Sequence, residues 1–273
     1  MVLKGLNIDG VIKVDNARVY GLEESIVASG YPMQTYTVDL DELENELEIL
    51  NKSIITVKDL KRAEHLGNAV PGSGHDCFLK GIIVQFDLQV PEYIWRQLDR
   101  YHFIDYISSQ SKMHRILKMD IDKACNKYVR SETIKHLNSL IDAYNNYDYF
   151  LDLVRFEKEA EDMNLKRIND SKMCECDGWI ERELIRFKVL DDKILYNNFR
   201  EDFKGIELTK ENLFNMIIAN TPSGLMLTAR MTTNYLQLKS IINQRSNHKM
   251  QEWRYLCDWF KTLPMFKELV CKK

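Results

Sequence analysis

The stretch IIVQFDLQVPEYIWRQLDRYH, residues 82–102, decides the fold. Residues 82–90 alternate apolar and polar side chains and are β-branched at one end, the pattern of a half-buried strand. Pro91 follows where a helix can begin, because the first helical turn has no use for its missing N–H. From Pro91 to Ile107 the spacing is helical. Upstream, VIKVDNARVY (11–20) lies between Gly10 and Gly21 and reads as another strand. Residues 23–29 read as a short helix. TVKDLKRAEHL (56–66) puts Val57, Leu60, Ala63 and Leu66 on one helical face. PGSGHD (71–76) is a glycine-rich turn. Downstream, 115–205 reads as mostly charged amphipathic helix, interrupted at Cys174-Glu175-Cys176-Asp177-Gly178. Thr221 and Pro222 supply an N-cap and a first-turn proline, so a helix is predicted from 222 to about 260, ending before Pro264. The sum is an α+β chain whose C-terminal half is dominated by helices.

The 273 residues are 45% hydrophobic and 29% charged, enough to bury the core of one domain, with or without an inserted lobe. Lys and Arg number 38 against 41 Asp and Glu, a net charge of −3. That balance argues against duplex nucleic acid as a partner, since binding there needs many phosphate-neutralising cations. It leaves room for a local basic pocket around a small anion. The first residues lack the basic and apolar runs of a secretory signal, and no segment reaches the ~20 apolar residues of a membrane span. Cys77, Cys125, Cys174, Cys176, Cys257 and Cys271 form no CxxC pair, so reduced thiols and a cytoplasmic setting are expected. Cys174 and Cys176 lack the two further ligands that zinc requires, and no metal is expected.

Four constellations carry chemical possibility. In SGHD (73–76) glycines flank a serine and precede His75, allowing close backbone approach to a ligand; the plain alternative is a turn with a solvated histidine. In WRQLDRYH (95–102), Gln97, Arg100 and Tyr101 share a helical face, where an amide can pair with a pyrimidine edge and an arginine with an anion. A solvated helix face gives the same pattern. SSQSKMHR (108–115) gathers hydroxyls, Lys112, His114 and Arg115, groups able to hold a phosphate or simply to form a polar loop. Last, TARMTTNYLQLKSIINQRSNHKMQEWR (228–254), read as one continuous helix, places Arg230, Asn234, Arg245 and His248 within ~60° of one another and Lys239 opposite. The stripe would be roughly 27 Å long, suited to an extended dinucleotide or two sites. A polar surface stripe is the plain alternative.

Taken in order, these segments resemble the flavin-dependent thymidylate synthase family. SGHDCFLKG (73–81) is similar to its Gly-His turn before a strand, and VPEYIWRQLDRYH (90–102) to the passage ending in its Arg-His-Arg motif. TARMTTNYLQL (228–238) is similar to the segment carrying an Arg and an Asn four apart, and RSNHKMQEW (245–253) to the later Arg…His-x-x-Gln stretch. EESIVASGYP (23–32) fits the family's first helix. The chain departs from the motif in Arg100-Tyr101-His102, where the family has Arg-His-Arg, and in Lys80-Gly81, where the family has Glu-His.

The resemblance implies a single α+β domain over 1–273, an antiparallel sheet flanked by long helices with an enlarged helical region at about 115–205. It further implies a homotetramer with sites between subunits. It implies FAD held by His75, Cys77, Arg100, His102, Arg230, Asn234 and His248. A pyrimidine deoxynucleotide would contact Gln97, Arg100, Ser109, Ser111, Lys112 and Arg245, with Arg100 and Arg245 serving catalysis. The implied reaction is reductive methylation of dUMP, with methylenetetrahydrofolate giving the carbon and NADPH reducing the flavin. A modifier of dCMP, a non-catalytic nucleotide- or flavin-binding relative, and an unrelated helical interaction protein stand as alternatives. Ungapped register places Lys239 at a nucleotide-contacting arginine of the family, whereas helical phase favours Arg245.

Overall fold

The computed structural model describes residues 3–34, 55–148, 205–207 and 209–271. Cys174, Cys176 and the stretch of expected helix over 149–204 lie outside them. The chain divides into two compact units. One comprises Met1–Arg115, Lys123–Tyr128 and Ser223–Lys273, the other Ile116–Asp122 and Val129–Pro222.

The first unit is built on a five-stranded antiparallel sheet in the order β1-β2-β3-β5-β4. Its strands are β1 (Leu6–Ile8), β2 (Ile12–Tyr20), β3 (Ile83–Pro91), β4 (Ile104–Ser109) and β5 (Met226–Asn234). In chain order the helices longer than two turns or bearing on the site are α1 (Leu22–Ala28), α2 (Val57–Gly67), α3 (Glu92–Leu98), α4 (Ser131–Asn145), α5 (Lys210–Asn220), α6 (Tyr235–Arg245) and α7 (Gln251–Phe260). Helices α4 and α5 belong to the second unit, whose core includes Leu137, Leu140, Ile141, Leu213, Met216 and Ile217.

The central ladder joins β3 to β5 in nine-residue register, from Ile83 opposite Asn234 to Pro91 opposite Met226. Alternation along both strands sorts side chains by face. Val84, Phe86 and Leu88 point inward opposite Thr233, Met231 and Ala229. Gln85, Asp87 and Gln89 point outward opposite Thr232, Arg230 and Thr228. The inner face is covered by α6 and α7, which present Leu238, Ile241, Trp253, Leu256 and Phe260 at helical spacing. The Phe86 ring lies 5.2 Å from Trp259 and 6.2 Å from Phe260, centroid to centroid.

Two helical expectations are corrected. The helix begun at Pro91 ends at Leu98, and 104–109 is the edge strand β4, pinned where the Thr233 hydroxyl donates to the Phe103 carbonyl at 2.6 Å. Pairing with β5 takes the place of the intrahelical bonds that a longer helix would have made. The helix expected from 222 does not start there. Thr221 is the C-cap of α5, and 226–234 is strand β5. Arg230 and Asn234 fit a helical spacing, but both also fit period two. Once β3 offers an open edge with matching alternation, the ladder decides. The helix begins at Tyr235, capped by the Asn234 side chain, which accepts from the Gln237 amide at 2.9 Å. It ends at Arg245, and the chain turns before α7.

Candidate functional site

The expected strand-to-helix passage at Pro91, the glycine turn and the α6–α7 corner converge in the first unit. The turn needs glycine at two places, because Gly72 and Gly74 have φ of +86° and +79°. Nothing lies within 4 Å of where a Cβ would sit on either. The Ser73 and Cys77 amides donate to the Val70 and Gly74 carbonyls at 3.1 and 3.4 Å. One side of the turn and α6 enclose a cleft of about 530 Å³, lined by Gly72, Cys77, Lys80, Ser240, Asn243 and Gln244 among others. The other side, with α2, bounds a cleft of about 680 Å³ that includes Lys61, His65, Ser73 and His75.

The foot of the turn is tied to α6 by a buried ion pair. Lys239 Nζ lies 2.6 Å from Asp76 Oδ2, with the residues 5% and 2% exposed. The same ammonium donates to the Gly67 and Ala69 carbonyls, both at 2.8 Å. Three donors meet three acceptors, which leaves none for a ligand.

Arg245, at the C-terminus of α6, is held differently. Its Nε donates to the Tyr101 hydroxyl at 2.8 Å and its Nη1 to Gln97 Oε1 at 3.4 Å. The guanidinium lies 4.8 Å from the Trp253 ring centroid and 5.7 Å from that of Tyr101. Trp253 Nε1 donates to the same Gln97 oxygen at 2.9 Å. Gln97 Nε2 is also engaged, with the Tyr93 carbonyl at 3.3 Å and Met250 Sδ at 3.0 Å. Tyr101 in turn donates to Gln244 Oε1 at 3.1 Å, and Gln244 lines the cleft beside the glycine turn. Tyr101 thus connects the arginine to one residue of that cleft. It has no carboxylate partner among the described residues. His248, whose Nδ1 accepts from the Met250 amide at 3.2 Å, has its pKa lowered by burial and then by the charges of Arg245 and Arg254.

The remaining sequence candidates are distributed elsewhere. Arg100 and His102 are exposed in the turn between α3 and β4, and Arg100 makes no hydrogen bond or ion pair among the described residues. Ser109 is exposed on the edge strand opposite Ala229, and the Ser111 hydroxyl accepts from the His114 amide at 3.4 Å. Lys112 pairs with Glu92 at 3.2 Å, at the opposite end of α3 from Gln97. Arg230 projects from the outer sheet face, where its Nη1 contacts Asp87 at 3.1 Å and the Asn16 carbonyl at 2.8 Å. The single helical stripe of Arg230, Asn234, Arg245 and His248 does not form. Strand β5 carries the first two, α6 the third and the α6–α7 turn the fourth.

Sequence reading passed over Trp253, Gln244 and Asp76, which complete these two arrangements. Trp253 follows Arg245 by eight residues across a helix break, and it meets the guanidinium because α6 and α7 are separate helices packed on each other. The described cysteines, Cys77, Cys125, Cys257 and Cys271, form no disulfide with one another. The buried Cys257 thiol is pushed up to about 11 by burial, and Cys77 is exposed at the cleft. Among the described residues no group of three His, Cys, Asp or Glu is placed to hold a metal, and no helix is long and apolar enough to cross a membrane.

No family model matches the chain, and no curated protein matches it. Among solved structures, it is similar to a Helicobacter pylori flavin-dependent thymidylate synthase complexed with FAD and dUMP. Identity is 15%, coverage 93% of this chain and 94% of that one, and the TM-score 0.45. A further structure of thymidylate synthase X from Helicobacter pylori with FAD and dUMP gives 13% identity, 93% coverage of each chain and a TM-score of 0.46.

Proposed function

We propose that the chain is a flavin-dependent enzyme of the thymidylate synthase type, binding FAD in the cleft between the glycine turn and α6 and dUMP against Arg245. One observation carries the reading, beside the sequence resemblance. Arg245 is stacked on Trp253 and Tyr101 and fixed by Gln97, yet no carboxylate offsets its charge among the described residues. Its hydrogen bonds to Tyr101 and Gln97 leave three of its five N–H groups without a described partner. A guanidinium prepared in this way suits a phosphate or the negative charge developing on an activated ring.

The cleft fits a cofactor. Its volume of about 530 Å³ falls within the ordinary range of such sites. Bare glycine backbone forms one wall, and Ser240, Asn243 and Gln244 offer polar groups on the other. FAD, when bound, supplies the redox chemistry. The chain's part is to bind, orient and stabilise charge. Tyr101, bonded to both Gln244 and Arg245, links the cofactor cleft to the anion cradle. On this reading methylenetetrahydrofolate gives the carbon, NADPH is the reductant and the working assembly is a homotetramer.

A second substrate, dCMP, is compatible with one feature of the site. Both ends of the Gln97 amide are used inside the protein, so it is not free to read a base edge. The test is to offer dUMP and dCMP separately to the FAD-loaded protein with methylenetetrahydrofolate and NADPH, and to weigh the products. A methylated uracil nucleotide is expected. Methylation of dCMP alone would establish the second reading, and no change in either nucleotide would refute the enzymatic one.

A further inference from the structure

The turn that walls both clefts is held at its two feet by a single side chain. Lys239 Nζ donates to the carbonyls of Gly67 and Ala69, at the end of α2, and pairs with Asp76, at the far end of the turn. Lys239 belongs to α6, which also carries Ser240, Asn243 and Gln244 into the cleft. Between the feet, Gly72 and Gly74 sit at positive φ with open space around them, so packing does not hold that segment in place. What fixes it is the pair of local backbone bonds at Ser73 and Cys77 together with the ammonium below. A lysine suits this position because its three donors diverge from one point, whereas a planar guanidinium would not.

We infer that Lys239 is a positioning residue: it sets the conformation of the turn at 70–76 against α6, and through the turn the shape of both flanking clefts. Stabilisation alone does not explain the arrangement. A buried ion pair is often replaced by apolar residues of similar size without loss of stability, whereas removal of one partner strands a charge. A double variant separates the roles. In Lys239→Met with Asp76→Leu no charge is stranded, but the Gly67 and Ala69 carbonyls still lose their donor. If the lysine were only a stabilising contact, its loss would lower the thermal midpoint and speed exchange in β3 and β5 as much as in the turn.

The test is amide hydrogen exchange on the full-length protein. In the unaltered chain the Ser73 and Cys77 amides should exchange at least tenfold more slowly than unstructured amides. In the double variant, with thermal midpoint close to the unaltered value, exchange over 70–76 should speed up at least tenfold while the β3 and β5 amides keep their protection. FAD titration adds a second readout and rests on the functional reading above: the dissociation constant should rise at least tenfold in the double variant. Unprotected turn amides in the unaltered chain, or turn exchange in the double variant equal to that of the unaltered chain, would overturn the inference. An unaltered chain that binds no FAD defeats the functional reading, and exchange still decides the role of Lys239.

Discussion

Arg245 and Lys239 lie on one helix and have opposite surroundings. Lys239 is consumed by the protein: a carboxylate and two carbonyls saturate it at 5% exposure. Arg245 is braced by neutral and aromatic groups that leave its charge to attract something else. Losing a charge-assisted contact costs ~1.5–3 kcal/mol, roughly ten- to a hundredfold in affinity. Arg245→Ala should therefore weaken dUMP binding by that factor in a calorimetric titration. His248 gives a pH prediction. Its folded pKa lies below the ordinary histidine value because burial, Arg245 and Arg254 oppose its protonation. The unfolded chain thus binds the proton more readily, and the contribution to stability is present above about pH 6.5 and lost as pH falls through the folded value. His248→Gln should flatten the decline of the thermal midpoint between neutral pH and pH 5. An unchanged slope would show that His248 is not its source. The sequence drew attention to Arg245 through helical phase from Arg230, a premise that fails because Arg230 is on a strand. What brings Arg245 to Tyr101 and Gln97 is the end of α6 and the packing of α7, which no short window of sequence contains.

At the scale of elements, β3 was legible and β5 was not, although the two are partners in one ladder. Strand β3 alternates strongly, with Val84, Phe86, Leu88 and Val90 against Gln85, Asp87 and Gln89. In β5 the inward positions include Ala229 and Thr233, too small or too polar to announce a buried face. Helical spacing places Asn234 inside a helix, whereas its oxygen caps the start of one. Asn234→Ala should lower stability by ~1 kcal/mol, the ordinary cost of a lost N-cap, measured by urea denaturation, and Asn234→Asp should retain most of it. Equal stability of all three proteins would contradict the capping role. The Phe86 ring is the inward anchor of the ladder against Trp259 and Phe260, so Phe86→Ala should cost ~3–5 kcal/mol. A loss below ~1 kcal/mol would mean that the inner face is not packed as described.

At the scale of the whole molecule, the sequence conveyed the class, α+β, and the order of its ligand-capable segments. The glycine turn, α3 and the α6–α7 corner do meet in one unit, through Tyr101 and Gln244. Arg230 and the β4 serines stand apart from that cluster, because strand alternation and an edge position send them elsewhere. We propose that the cleft between the turn and α6 holds a flavin next to the Arg245 cradle. The most direct test incubates the purified protein with FAD at tens of micromolar, removes free flavin by gel filtration and records the visible spectrum before and after dUMP is added. We expect a yellow protein with about one non-covalent FAD per chain, held in the cleft between the turn and α6, and a shift of the flavin bands with dUMP. A colourless protein that retains no flavin would contradict it.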